Sequence, residues 1–394
     1  MNYFIAYNDK LPNYEEFYEG ILRQNLVCLL NQRVTADWRC RKDWIHDDGT
    51  INFDYLQSNY GEMIVPVYNC DLRYFNSNPC KDMLLKDFVK YWREVINNDY
   101  NYEVDRLPLL YLKDWHLSYD GQDKNFYSVP EYFESDYLNE YCLSNGKLDF
   151  KFVYMGPKNS NTPLHIDVFS SYSWSANVIG RKRWLFVPPK NVEGLYEYLG
   201  YTPRDLYAID DCQKIFKRFE IFEVIQEKGE IIFVPSGFLH QVINLEDTIS
   251  INHNWFNACN IKIIYSKLLD SFEEVKKELG DLIETKVCSK DEWIEKCEQI
   301  TDMHFGMNRL EFIKMIVLIM NRSLDENKGE MMFKKEYEFR HKNDLRAIGW
   351  VVKEILNNED LKLLLSIKEL DSFNNFLQFV EYNLIQLNTR ENKI

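Results

Sequence analysis

No two cysteines in this chain are spaced Cys-x-x-Cys. The nine cysteines are scattered and odd in number, so they outline neither a zinc cluster nor a disulfide framework. They read as reduced thiols of the cytosol or nucleus. Long apolar runs are also missing. The strongest, 315–320, is far short of the roughly 20 residues that cross a bilayer. The first residues, MNYFIAYNDKLPNYEEF, have no basic start followed by an apolar stretch, which predicts no signal peptide. Basic excess is absent: the formal charge is −15 and the pI about 5.1. That argues against broad binding of nucleic acid or anionic membrane and suits a basic protein partner. Neither an internal repeat nor a low-complexity tract is found. What remains is 394 residues, 45% hydrophobic and 15% aromatic. Such a chain supports one large domain or two to three smaller ones around a sizeable core.

Histidine is scarce too, with seven in the chain, which directs attention to where these few sit. The stretch 161–189, NTPLHIDVFSSYSWSANVIGRKRWLFVPP, holds His165 and Asp167 two residues apart. It also holds the basic cluster Arg181, Lys182 and Arg183. A second stretch, 229–257, carries His240 at its centre. Residues i and i+2 of a strand point to the same face, so His165 and Asp167 reach one point from one strand. His240 must then come from a neighbouring strand. Two neutral imidazoles and one carboxylate form the facial triad of non-haem Fe(II) oxygenases, with three coordination positions left open.

Taken alone, the short motif is weak. With about a sixth of the residues acidic, His-x-Asp/Glu arises about once by chance among so few histidines. Context strengthens it. Gly229-Glu230 opens an apolar strand that ends at Pro235, and Ser236-Gly237 is a turn. His240 opens the strand 241–244, and after a turn at Glu246-Asp247 a further strand runs from Thr248 to Trp255. Short strands punctuated by Gly, Pro, Asn and Asp suggest a jelly-roll or cupin-like barrel, whose mouth suits one small ligand.

The runs SYSWSANVIGRKRWLFVPP and NLEDTISINHNW, together with VPVYNC, YFNSNP and YLKDWHLSYD upstream, resemble the JmjC family of 2-oxoglutarate- and Fe(II)-dependent dioxygenases. The likeness covers most of residues 20–260 and fades in the C-terminal third. It implies an α+β fold: a double-stranded β-helix with N-terminal α/β elements and a C-terminal helical region. It implies Fe(II), 2-oxoglutarate and dioxygen as cofactor and co-substrates, with His165, Asp167 and His240 as iron ligands. Lys182 stands where relatives place the lysine that pairs with the far carboxylate of 2-oxoglutarate. Thr162 and Tyr154 match hydroxyl donors to the same group, and Asn252 completes the pocket. Some relatives place an asparagine near Ser175; serine stands here, with Asn177 two residues on. The resemblance further implies hydroxylation of a lysine side-chain carbon in a protein substrate, the translation termination factor. N-methyl-lysine demethylation of histones and a non-catalytic binding barrel are the alternatives. The lack of reader modules and zinc-type cysteines weighs against the first, and the complete triad with Lys182 against the second.

Burial of a dicarboxylate calls for a compensating charge, which suits Lys182. Pleat alternation sends Arg181 and Arg183 the other way, as solvated basic residues. Asn254 shares a face with Asn252, whereas His253 faces away and is left out of the site. His116 reads as structural, with a substrate-side role kept open by its aromatic neighbours.

Elsewhere the pattern predicts a short helix over 12–23, strands over 26–30, 63–68 and 109–112, and a helix over 82–96. Asp114-Trp115-His116 is taken as a strand exit. Residues 122–141 read as loop and short helix, and 189–223 as an insertion with helical pieces. Three regions follow: 1–108, 109–259 as the catalytic barrel, and 260–394. The last is helical, with the stripe Ile261, Ile264, Tyr265, Leu268, Phe272, Val275 and Leu279 ended by Gly280. A capping box at Ser289 to Glu292 precedes the next helix. A buried helix is expected over 307–320, and two more over 345–356 and 361–387. This third is read as a bundle that stabilises the barrel, with partner binding or dimerisation as the other reading.

Overall fold

A computed structural model describes residues 3–74, 77–103, 106–119, 123, 125–285, 287–324, 335–358 and 360–361. Two compact units form. The first comprises Met1–Glu134, Cys142–Asp167 and Ser171–Trp255; the second takes the described parts of Ser135–Tyr141, Val168–Ser170 and Phe256–Ile394.

The first unit carries all the named strands: β1 (Phe4–Tyr7), β2 (Val27–Leu30), β3 (Ile64–Asn69), β4 (Cys80–Leu84), β5 (Leu110–Trp115), β6 (Lys151–Gly156), β7 (Asn161–His165), β8 (Tyr172–Ile179), β9 (Lys182–Val187), β10 (Phe222–Gln226), β11 (Ile231–Val234), β12 (Leu239–Asn244) and β13 (Thr248–Trp255). They make a nine-stranded sheet, β1-β2-β11-β8-β13-β6-β5-β3-β4, and a four-stranded sheet, β10-β9-β12-β7. Every pairing is antiparallel except β1 with β2. One apolar cluster joins the sheets: Val27, Leu29, Ile232 and Val234 of the large sheet meet Trp184, Phe186, Val224 and Val242 of the small one. Two facing antiparallel sheets closed in this way are the double-stranded β-helix.

β9 shows why its sequence is apolar nearly throughout. Trp184 and Phe186 face the opposing sheet. Leu185 and Val187, on the other face, pack with Leu195, Leu206, Ile215 and Phe216 of the 189–221 insertion. That insertion holds helices Pro189–Leu199 and Cys212–Arg218; Pro189 sits in the first turn of its helix, where a missing N–H costs nothing. β8 and β9 are joined through Gly180, at φ 88. A Cβ there would lie 2.3 Å from the Asp247 carbonyl oxygen, so both conformation and space demand glycine.

The N-terminal helix expected over 12–23 is present as Tyr14–Phe17, capped by Asn13 and Glu16, and runs on as a π turn over Tyr18–Leu22. The helix expected over 82–96 begins later, at Leu85, and ends at Asn97. Asp82 and Met83 belong to β4, opposite Pro66 and Val65. Met83 fits the apolar pattern of either element, and ladder pairing with β3 decides for strand. β5 also runs past its expected end. It continues to Trp115 across a bulge, with Asp114 at φ 59 and a register shift between Leu112 and Trp115.

The second unit holds helices Ile261–Glu278, Gly280–Glu284, Lys290–Phe305, Arg309–Leu324 and Lys335–Leu356. Ile261, Ile264, Tyr265, Leu268, Phe272 and Val275 form the buried stripe, as their spacing predicts. Gly280 is not a left-handed stop; it opens the next short helix, and Leu279 closes the preceding one through a bond to the Val275 carbonyl. The capping box of Ser289 and Glu292 is formed. Arg309 and Glu298 make a buried ion pair at 2.6 Å, and the guanidinium lies 3.3 Å from the Phe272 ring centre. Of the helix expected over 361–387, the part from residue 362 lies outside the described residues. Among the described residues no helix is long and apolar enough to cross a membrane.

Candidate metal and co-substrate site

His165 is the last residue of β7, and its register partner across the ladder is His240 of β12. Asp167 lies just beyond the strand end, so the carboxylate comes from the turn after β7 and not from the strand itself. The i, i+2 relationship still aims both side chains to one point. His165 Nε2 is 3.8 Å from Asp167 Oδ1. One ligand atom from each of His165, Asp167 and His240 lies within 4.8 Å of the others.

Hydrogen bonds fix which atoms face that point. His165 Nδ1 is 2.7 Å from the Pro163 carbonyl oxygen, and His240 Nδ1 is 3.0 Å from that of Phe238. A carbonyl only accepts, so each Nδ1 carries a hydrogen and each Nε2 is the nitrogen left to face the metal. Asp167 Oδ2 accepts from the Ser173 hydroxyl at 2.7 Å, leaving Oδ1 toward His165. Burial, and then the neighbouring His240, push the His165 imidazole down to about 4, so it is neutral near pH 7. Two imidazoles and a carboxylate held in this way fit an Fe(II) ion.

The same cavity is lined by Tyr111, Tyr154, Thr162, Ser175, Lys182 and Asn252. Lys182 is fully buried, and its ammonium donates to the Ser250 hydroxyl at 2.6 Å. Burial lowers its pKa to about 7. Asn252 Nδ2 reaches the same Ser250 oxygen at 3.1 Å. The Ser175 hydroxyl is buried with no hydrogen-bond partner among the described residues. A buried cation and an unmet hydroxyl on one wall fit an oxygen-rich anion such as a carboxylate.

Tyr154 behaves differently from the hydroxyl donor expected. Its hydroxyl donates to Asp114 Oδ1 at 2.7 Å, while Tyr68 donates to Oδ2 at 2.7 Å. With its hydrogen committed, Tyr154 presents an acceptor oxygen to the cavity. Arg181 pairs with Glu227 at 2.8 Å and Arg183 lies over the Tyr207 ring, so only Lys182 of the three points inward. Asn177 is buried elsewhere, donating to the Gln226 carbonyl at 3.1 Å. Asn254 lines the cavity, whereas His253 meets the Tyr127 hydroxyl at 2.7 Å on the other face. His116 packs on Phe152 and bonds Asp149 at 3.0 Å.

Sequence reasoning missed Tyr111, Ser173, Ser250 and Asp114. The signal for Ser250 was present: it lies two residues before Asn252 on the same face of β13. Ser173 stands likewise to Ser175. Tyr111 carried no comparable cue, and Asp114 was hidden by the bulge.

A sequence profile described as "JmjC domain, hydroxylase" matches residues 152–255. The chain belongs to the JmjC family of 2-oxoglutarate- and iron-dependent oxygenases, and it uses Fe(II), 2-oxoglutarate and dioxygen. Among its relatives is the 2-oxoglutarate and iron-dependent oxygenase JMJD4 of Danio rerio, 38% identical over 92% of this chain and 88% of that protein. JMJD4 of Gallus gallus is 41% identical over 80% of this chain and 74% of its own length. The arginine-specific demethylase JMJ20 of Arabidopsis thaliana is 38% identical over 85% and 72%.

Proposed function

We propose that this oxygenase hydroxylates a lysine side-chain carbon of a protein, the eukaryotic translation termination factor, in the cytoplasm. The observation that carries the reaction class is the convergence of His165, Asp167 and His240 beside the buried Lys182. The substrate rests on the likeness of the runs 171–189 and 244–255 to the family member with that activity. In this reading no nucleic acid or membrane takes part.

His165, Asp167 and His240 would hold Fe(II), which with 2-oxoglutarate and dioxygen supplies the oxidising power that turns C–H into C–OH. The chain's own work is positioning. The carbonyls of Pro163 and Phe238 hold both imidazoles in the metal-binding tautomer. Ser173 holds one carboxylate oxygen of Asp167. Lys182, with Thr162, Asn252 and Ser175, would take the far carboxylate of 2-oxoglutarate. Tyr111, Tyr154, Trp174 and Trp184 wall the cavity. No protein nucleophile or general base is needed, and none is assigned.

N-demethylation is the second reading, favoured by one observation: the Arabidopsis relative is named an arginine-specific demethylase. Both reactions use the same metal site and differ in which carbon lies over it. Mass spectrometry separates them. Release factor and methylated peptides are incubated with enzyme, iron, ascorbate and 2-oxoglutarate. A gain of one oxygen on a release-factor lysine supports hydroxylation; loss of a methyl group with no such gain replaces it by demethylation.

A further inference from the structure

Lys182 is a buried ammonium on a long, flexible stem. Among the described residues it has no carboxylate within ion-pair distance, and its hydrogen-bond partner is the Ser250 hydroxyl, at 2.6 Å. It lies on β9 in the small sheet, while Ser250 lies on β13 in the large sheet, so this bond spans the barrel. Ser250 is itself fully buried and is not among the residues that line the cavity. Its oxygen also receives Asn252 Nδ2, at 3.1 Å. Two donors on one hydroxyl oxygen use both of its lone pairs. Asn252 Nδ2 also reaches the Ser250 carbonyl oxygen, at 3.4 Å, so it is the two other ammonium hydrogens of Lys182 that remain for a ligand.

We propose that Ser250 is the positioning residue of the co-substrate pocket, holding Lys182 and Asn252 together as one carboxylate-binding cradle. This rests on Lys182 taking the far carboxylate of 2-oxoglutarate. Ser250 fixes the end of a side chain that otherwise has four rotatable bonds, so the ammonium is in place before the ligand arrives. Without that hydroxyl, the ammonium is left buried with no acceptor, and it withdraws or loses its proton. The amide of Asn252 loses the shorter of its two contacts at the same time and keeps the one to the Ser250 carbonyl, at 3.4 Å. Only the far carboxylate should register the change, because the oxo-acid end is gathered at the metal ligands.

Direct ligand binding to Mn(II)-loaded enzyme tests this, read by the fluorescence of Trp174 and Trp184 in the cavity wall. Two ligands are compared: 2-oxoglutarate, and pyruvate, which keeps the oxo-acid end and lacks the far carboxylate. For Ser250→Ala, the Kd for 2-oxoglutarate should rise roughly tenfold or more, the loss of one charge-assisted hydrogen bond. The Kd for pyruvate should stay within about twofold of wild type, and Ser250→Thr should recover most of the 2-oxoglutarate affinity. Unchanged 2-oxoglutarate binding in Ser250→Ala, or equal weakening of both acids, overturns the proposal. Should Ser250→Ala fail to fold, Ser250→Cys keeps the volume, exchanges the hydroxyl for a poor acceptor, and is read by the same criteria. Lys182→Ala in the same assay tests the premise separately. If it binds 2-oxoglutarate as wild type does, the assignment of Lys182 falls, and the role of Ser250 falls with it.

Discussion

His165 and His240 are register partners across the β7–β12 ladder, with ring centroids 4.2 Å apart and planes tilted by 51°. Two imidazoles this close repel when both are protonated, which, after burial, is a reason His165 stays neutral near pH 7. Their Nδ1 atoms are tied to carbonyls two residues back in each case, Pro163 and Phe238. The pair is thus preset by backbone, before any ion arrives.

Lys182 makes stability depend on pH. Burial lowers its pKa from 10.5 to about 7. Between those values the unfolded chain binds more protons than the folded one, so stability rises with pH across the window. Below about pH 7 the full penalty of a buried ammonium is present. Replacing Lys182 by Met should therefore stabilise the ligand-free protein by about 1–4 kcal/mol near pH 6.5, with a ceiling of roughly 5 kcal/mol set by the shift itself. The gain should shrink as pH approaches 10. Urea unfolding of both proteins at several pH values measures it. Added 2-oxoglutarate should raise the midpoint of the wild type and leave that of Lys182→Met in place.

Asp114 accepts from both Tyr68 and Tyr154 and neighbours the buried Lys113, whose ammonium lies 4.4 Å from the Tyr68 ring centre. Asp114→Asn removes the negative charge and one of the two acceptor oxygens. The expected cost is about 1–3 kcal/mol, read as a lower midpoint in urea. Metal binding should persist, because Asp114 is not one of the three converging ligands.

In the helical unit, Glu298→Ala leaves Arg309 buried without its carboxylate. A loss of about 3–5 kcal/mol is expected. Adding Arg309→Met to the same chain should restore most of that stability, because the uncompensated charge is then gone. Thermal unfolding of the single and double variants measures the difference.

Much of the site was legible because β-structure has period two. Lys182 was sorted against Arg181 and Arg183 by that alternation and does point inward; His165 and Asp167 do converge, although Asp167 reaches the point from beyond the end of β7 and not from the strand. Three features escaped because they depend on partners distant in sequence. β1 is a strand only through its parallel pairing with β2. Met83 fits a helix stripe equally well until β3 lies beside it. Asp114 turns to meet Tyr68 and Tyr154 only because a bulge at φ 59 breaks the pleat. The direction of the Tyr154 hydroxyl was likewise beyond reach, since the carboxylate that takes its hydrogen lies on another strand.

One cation shared by His165, Asp167 and His240 is the centre of the proposed chemistry. Anaerobic calorimetric titration with Mn(II), a redox-inert substitute for Fe(II), tests it most directly when wild type and Asp167→Ala are compared. One site per chain in the wild type, and affinity weakened about a hundredfold or more in the variant, is the predicted result. Equal stoichiometry and affinity in the two proteins would contradict it.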